Sequence, residues 1–272
     1  MPADHVLLKR LAWSLCCALL LLGGCAPKIP PLPEAPPQPA SRTWEQFRAR
    51  TEGQTFSQGF SISSSVHLIS PSRQDRITFQ AWGNYALPIR LDLKAALGTT
   101  FSMWRVVKEQ WLAYYPGQDK AFVHPDSRIG AARLGFRAPF DLQELTFIFS
   151  DHWRMILPRQ YSSSSYDPEF GWCFDFGPEQ KVSTVCISPE LNVTRLTGTW
   201  PSDWTMRLED HAVQAGHSIP GKVLLQAGPS QKAIVHIKGV EFRKLWPDKA
   251  LSLKPPEETE MIFLSKEKEV SP

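Results

Sequence analysis

Ile89, Leu91, Leu93 and Ala95 alternate with Arg90, Asp92 and Lys94, and no other run in this 272-residue chain constrains the fold as much. Successive side chains on a strand point to opposite faces, so strict alternation predicts a strand with one wet face and one dry face. Period two also governs the flanking sequence. Residues 60–62 and 66–68 with serines between them, 77–81, 101–107 and 111–115 read as further strands. Their separators, Pro71, residues 84–88, Gly98 and Pro116-Gly117, are short, and short connections join antiparallel neighbours. After a polar stretch at residues 162–165, strands resume at 172–176, 182–188, 192–197, 204–210, 223–226 and 232–242, about eleven in all. An antiparallel sheet of that width curls or closes.

Two segments break the period. Leu142, Leu145, Ile148, Phe149 and Trp153 fall along one helical face within residues 139–153, and Asp141 with Glu144 resembles an N-terminal capping pair. A helix there sits between the two runs of strands and can plug their concave side. Trp44, Phe47 and Thr51 have helical spacing within residues 41–51, which predicts a short amphipathic N-terminal helix. No internal repeat is present, and the charged stretch 265–272 is expected to be a disordered tail.

The N-terminus has the layout of a cleaved export signal: Lys9 and Arg10, an apolar run over residues 11–22, then Gly23-Gly24-Cys25. The run is shorter than the roughly 20 apolar residues a spanning helix needs. Leu22-Gly23-Gly24-Cys25 resembles a bacterial lipobox, which implies cleavage before Cys25 and acylation of that cysteine. Several acyl chains, at roughly 0.8 kcal/mol per buried methylene, anchor a protein to a bilayer without spanning it. Ala26 follows, where lipoproteins kept in the inner membrane carry aspartate, so the expected location is the periplasmic face of the outer membrane. Seven of the fourteen residues 26–39 are proline, a semi-rigid tether. The expected organisation is a leader (1–24), lipidated cysteine and tether (25–40), a folded domain (41–264) and the tail (265–272).

Losing the leader takes 30 basic and 27 acidic side chains to 28 and 26, so no strongly charged partner is implied. Nine tryptophans remain, enough to fill a core or line an apolar cavity. Cys16 and Cys17 leave with the leader, and Cys173 and Cys186 remain beside Cys25. A hairpin centred on Glu179 and Gln180 sets those two cysteines opposite one another, and in an oxidising compartment they pair. The resulting loop closure contributes roughly 3 kcal/mol. A redox pair, usually C-x-x-C spaced, and two free thiols are the alternatives.

The chain contains no Gly-x-Ser-x-Gly elbow, phosphate-binding glycine loop or His-Glu-x-x-His site. His67, His124, His152, His211, His217 and His236 are scattered without close ligand spacing, and Asp203, Glu209 and Asp210 read as polar strand residues. Lys232, Lys238, Arg243, Lys244 and Lys249 alternate with apolar residues as a solvated sheet face does. No catalytic residue, metal site, cofactor or nucleic-acid partner is expected, and the chain is read as a non-enzyme.

Several motifs, taken in order, resemble the LolA/LolB superfamily of lipoprotein carriers and receptors. Arg76-Ile77-Thr78-Phe79-Gln80-Ala81-Trp82, then Ile89-Arg90-Leu91-Asp92-Leu93, then Leu97-Gly98-Thr99-Thr100 follow that family's two strands and turn. Residues 135–149, Glu169-Phe170-Gly171-Trp172, and residues 219–225 with 233–237 match its helix, its return into the sheet and its closing strand pair. The resemblance covers most of residues 44–246. It implies a mainly β fold, a half-open antiparallel barrel whose concave face, under a helical lid, encloses a cavity for acyl chains. On that basis Phe79, Trp82, Leu91, Leu93, Met103, Leu142, Leu145 and Phe149 are nominated to line the cavity, with ordinary core packing as the alternative. In the family's anchored receptors the leucine matching Leu97 inserts into the membrane, so Leu97-Gly98 is the expected insertion loop. Alternatively Leu97 simply extends the inward series of Ala95.

The implied function is acceptance of an acylated lipoprotein from a soluble carrier and its release into the bilayer. The longer ending, with Leu253-Lys254-Pro255-Pro256, and the cysteine pair depart from that family's receptors. A carrier of another lipid or glycolipid, or an envelope assembly lipoprotein with a filled core, are the competing readings.

Overall fold

The computed structural model describes residues 38–54, 58–95, 98–136, 138–199, 202–228 and 230–264. The expected leader, Cys25, most of the tether, Leu97 and the tail lie outside them. The described chain opens with α1 (Ala40–Glu52), followed by β1 (Gly59–Ser70), β2 (Arg73–Asn84), β3 (Ile89–Ala95), β4 (Thr100–Val107), β5 (Gln110–Tyr115) and β6 (Lys120–His124). Helices α2 (Ser127–Arg133) and α3 (Leu142–Phe149) come next, then β7 (Ser163–Asp167), β8 (Gly171–Asp175), β9 (Thr184–Ile187), β10 (Val193–Gly198) and β11 (Trp204–Glu209). The chain continues through β12 (Ala212–Gln214), β13 (His217–Ile219), β14 (Lys222–Ala227), β15 (Gln231–Arg243), α4 (Asp248–Leu251) and β16 (Glu260–Phe263).

Fourteen of these strands form one open sheet in the order β16-β6-β5-β4-β3-β2-β1-β15-β14-β11-β10-β9-β8-β7, and β12 and β13 form a separate hairpin. The fold is mainly β and the sheet is not closed. Two expectations are corrected. The strand count exceeds eleven because β6, β16 and the β12–β13 hairpin are short, and because β7 is an exposed serine-rich edge with no apolar alternation. The sheet is also not wholly antiparallel, since β16 joins β6 in parallel.

Residues 60–62 and 66–68 belong to one strand. The serines between them stay in register with β2, and the irregularity is a bulge against β15 at Ser63/Ser64. The predicted helix over 139–153 is shorter. Its capping box is present, Asp141 accepting from the Glu144 amide at 2.8 Å and Glu144 from the Asp141 amide at 2.9 Å, but α3 ends at Phe149. Asp151 then takes a left-handed backbone with φ 67°. In α2, Gly130 lies against Trp111 so closely that an added Cβ would come within 2.4 Å of the ring.

Beyond β15 the chain forms a strap over the sheet's outer face. Trp82, Arg90 and Arg105 lie side by side across β2, β3 and β4 and point to that face. Trp82 Nε1 donates to the Ala250 carbonyl at 3.3 Å, Arg105 Nε to Leu251 at 3.0 Å, and Arg90 Nη1 to Ser252. Asn84 clamps the Trp246 backbone, accepting from its amide at 2.8 Å and donating to its carbonyl at 3.2 Å. Beneath and beside the strap Leu112, Tyr114, Ala121 and Val123 form a second buried cluster with Met103 and Leu253.

Candidate functional site: an apolar cavity on the concave face

The inner face of the sheet is one continuous apolar surface built by cross-strand register. Val66 stands opposite Ile77 and Val235, Leu93 opposite Phe79, Leu91 opposite Ala81 and Trp104, and Leu225 opposite Met206 and Ala233. Helices α2 and α3 and the segment between them add Ala131, Phe136, Phe140, Leu142, Leu145 and Phe149. These side chains enclose a cavity of about 190 Å³. Protein interiors leave few voids larger than a water molecule.

One side of the cavity is rimmed by partly exposed apolar residues, Leu68, Ile77, Phe79, Phe136, Leu142, Leu145, Leu225 and Ala233, whereas Ile62, Leu91, Trp104, Trp111 and Phe149 at its floor are buried. The rim on the sheet lies toward the ends of β1, β3 and β14, where the β3–β4 connection begins: Ala95 pairs with Ile77. Ala95 and Gly98, which flank residues 96 and 97, are joined by a 2.9 Å hydrogen bond from the Gly98 amide, and Gly98 has φ 85°.

Polar groups in the wall are few: Ser127, Arg128, Asp141 and Thr146. Burial, with the nearby Glu144 charge, holds the Asp141 carboxyl above the usual carboxylate range, against the pull of the Glu144 amide and Lys181. Lys181 pairs with Glu144 and ties the start of α3 to the segment before β9. The other end of α3 is held by buried Asp151. Its carboxylate accepts from Arg50 of α1 twice, at 2.7 and 3.0 Å, from Gln54 at 3.3 Å, from Trp153 Nε1 at 2.8 Å and from the Ser218 amide at 2.9 Å.

Six of the eight nominated residues, Phe79, Leu91, Leu93, Leu142, Leu145 and Phe149, line the cavity. Trp82 and Met103 do not. Trp82 is three residues from Phe79 and Met103 is next to inward Trp104, so the two-residue period turns both to the outer face, under and beside the strap. The sequence did not point to Trp104, Trp111, Met206, Val223, Leu225, Ala233 and Val235 on the strands, or to Phe136 and Phe140 between α2 and α3. Alternation marks the strands, but only the register joins their dry faces into one surface.

Cys173 and Cys186 face each other across β8 and β9 and are bonded. The disulfide lies under Phe170, whose ring is covered by the guanidinium groups of Arg195 at 4.2 Å and Arg207 at 4.9 Å.

No protein-family model matches the sequence, and no curated protein sequence matches it. Solved structures do match. A LolA superfamily protein from Nitrosomonas europaea aligns with a TM-score of 0.53 at 10% identity, covering 77% of this chain and 97% of that one. A DUF1329 family protein from Desulfovibrio piger aligns with a TM-score of 0.50 at 5% identity, covering 79% and 98%. At these identities the likeness is one of fold: the chain has the fold of the LolA superfamily.

Proposed function

We propose that this protein binds an acyl chain of a lipid or lipoprotein in the concave cavity and acts as a LolB-like receptor, accepting acylated cargo and releasing it into the membrane. The observation that carries the reading is the cavity itself, lined mainly by apolar side chains and rimmed by partly exposed apolar ones. In this reading the chain comprises a leader (1–24), an acylated Cys25 with a tether (25–40), the binding domain (41–264) and a tail (265–272). It sits on the periplasmic face of the outer membrane and takes cargo from a LolA-like carrier.

Transfer needs no covalent chemistry. Each methylene moved from water into the cavity gains roughly 0.8 kcal/mol, and movement on into a bilayer buries the same surface. A volume of about 190 Å³ is below the roughly 300–1,000 Å³ of pockets that enclose a drug-sized ligand. An acyl chain therefore enters when α3 moves as a lid, swinging from its Asp151 anchor while the Glu144–Lys181 pair at its other end opens. Cargo leaving over the rim emerges beside the β3–β4 connection, where Leu97 serves as the membrane-inserting residue. Replacing Leu97 with Glu should stop delivery to vesicles while leaving uptake of a fluorescent fatty acid intact; undiminished delivery would remove the insertion role.

The small volume favours one competing reading, an envelope assembly lipoprotein whose interior is filled by its own side chains. Titration with the fluorescent fatty acid separates the two. Saturable uptake that Ala233→Phe abolishes supports binding, and no uptake by the parent protein supports the filled interior.

A further inference from the structure

We propose that the protein has a second ligand site, at the end of β15, for an oxyanion of the phosphate type. A pocket of about 300 Å³ there is lined, among the described residues, by Gln58, Ala215, His217, Phe242, Arg243 and Lys244, none of which lines the apolar cavity. Phe242 pairs with Phe60 at the start of β1, two residues before Ile62 at the floor of the apolar cavity, so the pocket lies at the opposite end of β1 from the cavity rim at Leu68.

The wall carries two adjacent cations and no carboxylate among its described residues, and neither Arg243 nor Lys244 makes an ion pair with another described residue. Arg243 is also held in place. Its guanidinium carbon lies 3.8 Å from the centre of the Trp246 ring, that indole donates to the Phe60 carbonyl at 2.9 Å, and Asn84 clamps the Trp246 backbone from both sides. A guanidinium stacked on an aromatic ring keeps its N–H fork free for a bidentate partner and loses little freedom when one binds.

His217 also lines the pocket and stacks on Phe242 at 4.2 Å. The Asp151 charge behind His217 is neutralised by the bidentate Arg50 pair. A fork and an ammonium side by side at one pocket match the several oxygens of a phosphate group. A phosphodiester lipid headgroup and free inorganic phosphate share this chemistry.

The test is isothermal titration of the full-length protein, in a detergent with an uncharged sugar headgroup, with inorganic phosphate and separately with glycerophosphoglycerol. At least one probe should saturate, and Arg243→Gln/Lys244→Gln should weaken it by about tenfold or more. Phosphate binding assigns the site to the free ion, and binding of glycerophosphoglycerol alone assigns it to a lipid headgroup. Lys244→Gln by itself, at an exposed position that no fold contact depends on, should weaken binding in the same direction. Uptake of a fluorescent fatty acid by all these variants should be unchanged, which separates this site from the cavity. Saturation by neither probe, or binding that survives both substitutions, overturns the proposal.

Discussion

The outer face of β2–β4 is covered by a strap whose carbonyls at residues 246, 250, 251 and 252 each accept a side-chain hydrogen bond from the sheet. The inner face of the same strands is covered by α3, which reaches the cavity through Leu142, Leu145 and Phe149 and leaves about 190 Å³ unfilled. Hydrogen bonds to fixed carbonyls require one geometry, whereas contacts between apolar side chains tolerate sliding. The comparison separates two kinds of cover: the strap is hydrogen-bonded along its length, whereas α3 is tied by polar contacts near its ends, among them Gln143 to the Tyr85 carbonyl at 2.7 Å, and meets the cavity with apolar side chains.

The strongest way to break that contrast is to release the anchored end of α3. Asp151→Ala removes five hydrogen bonds and strands Arg50 without its partner, so it should cost roughly 3–5 kcal/mol. Thermal denaturation should then show a midpoint lower by about 10 °C. An unchanged midpoint would mean that α1 and α3 are held by packing alone.

A matched pair of substitutions compares the two faces directly. Ala121 is fully buried in the outer cluster and Ala233 lines the cavity. Ala121→Phe should destabilise by about 1–3 kcal/mol through overpacking. Ala233→Phe should change stability by no more than about 0.5 kcal/mol while displacing a fluorescent fatty acid, because its ring enters existing space. Equal costs at the two positions, read from urea denaturation, would show that the inner face is as full as the outer one.

Removing one pin from the strap tests its rigidity more gently. Trp82→Phe keeps an aromatic ring but loses the bond to the Ala250 carbonyl, so a cost near 1 kcal/mol is expected with fatty-acid affinity unchanged. A change in affinity would mean that strap and cavity are coupled through the sheet.

The smallest expected effect is on pH dependence. Burial lowers His211 and His217 below the ordinary imidazole value of 6.5, an effect partly countered by Asp151. Their neutral forms are therefore favoured in the folded protein, and below about pH 6.5 the unfolded chain binds more protons. Stability should be full above that pH and decline as pH falls toward the lowered folded values. His211→Gln should flatten part of this slope in melts between pH 7.5 and about pH 5; an identical slope would place the titration elsewhere.

How legible the molecule was in its sequence follows from which contacts are local. The alternation of residues 89–95 fixed one strand's faces, and the Asp141/Glu144 cap and the spacing of Cys173 and Cys186 about a turn are short-range patterns that needed no tertiary information. The strap is different. Residues 244–259 have no apolar period, and their partners are side chains about 150 positions earlier, so nothing local marks them. Trp82 and Met103 look like core residues because they are large and apolar, and the strap does make their face dry; their phase in the strand, not their chemistry, sets them apart from Phe79 and Leu91. Asp151 is one acid in a helical-looking segment, and its role depends on Arg50 and Ser218 arriving from distant elements.

Native mass spectrometry of the full-length protein, extracted from membranes in mild detergent and analysed for co-purifying lipid, tests acyl-chain binding most directly. The expected result is an acylated species bound in one-to-one ratio to the parent protein and absent from Ala233→Phe. An empty parent protein that also refuses a fluorescent fatty acid would contradict the account and leave the cavity as a packing defect.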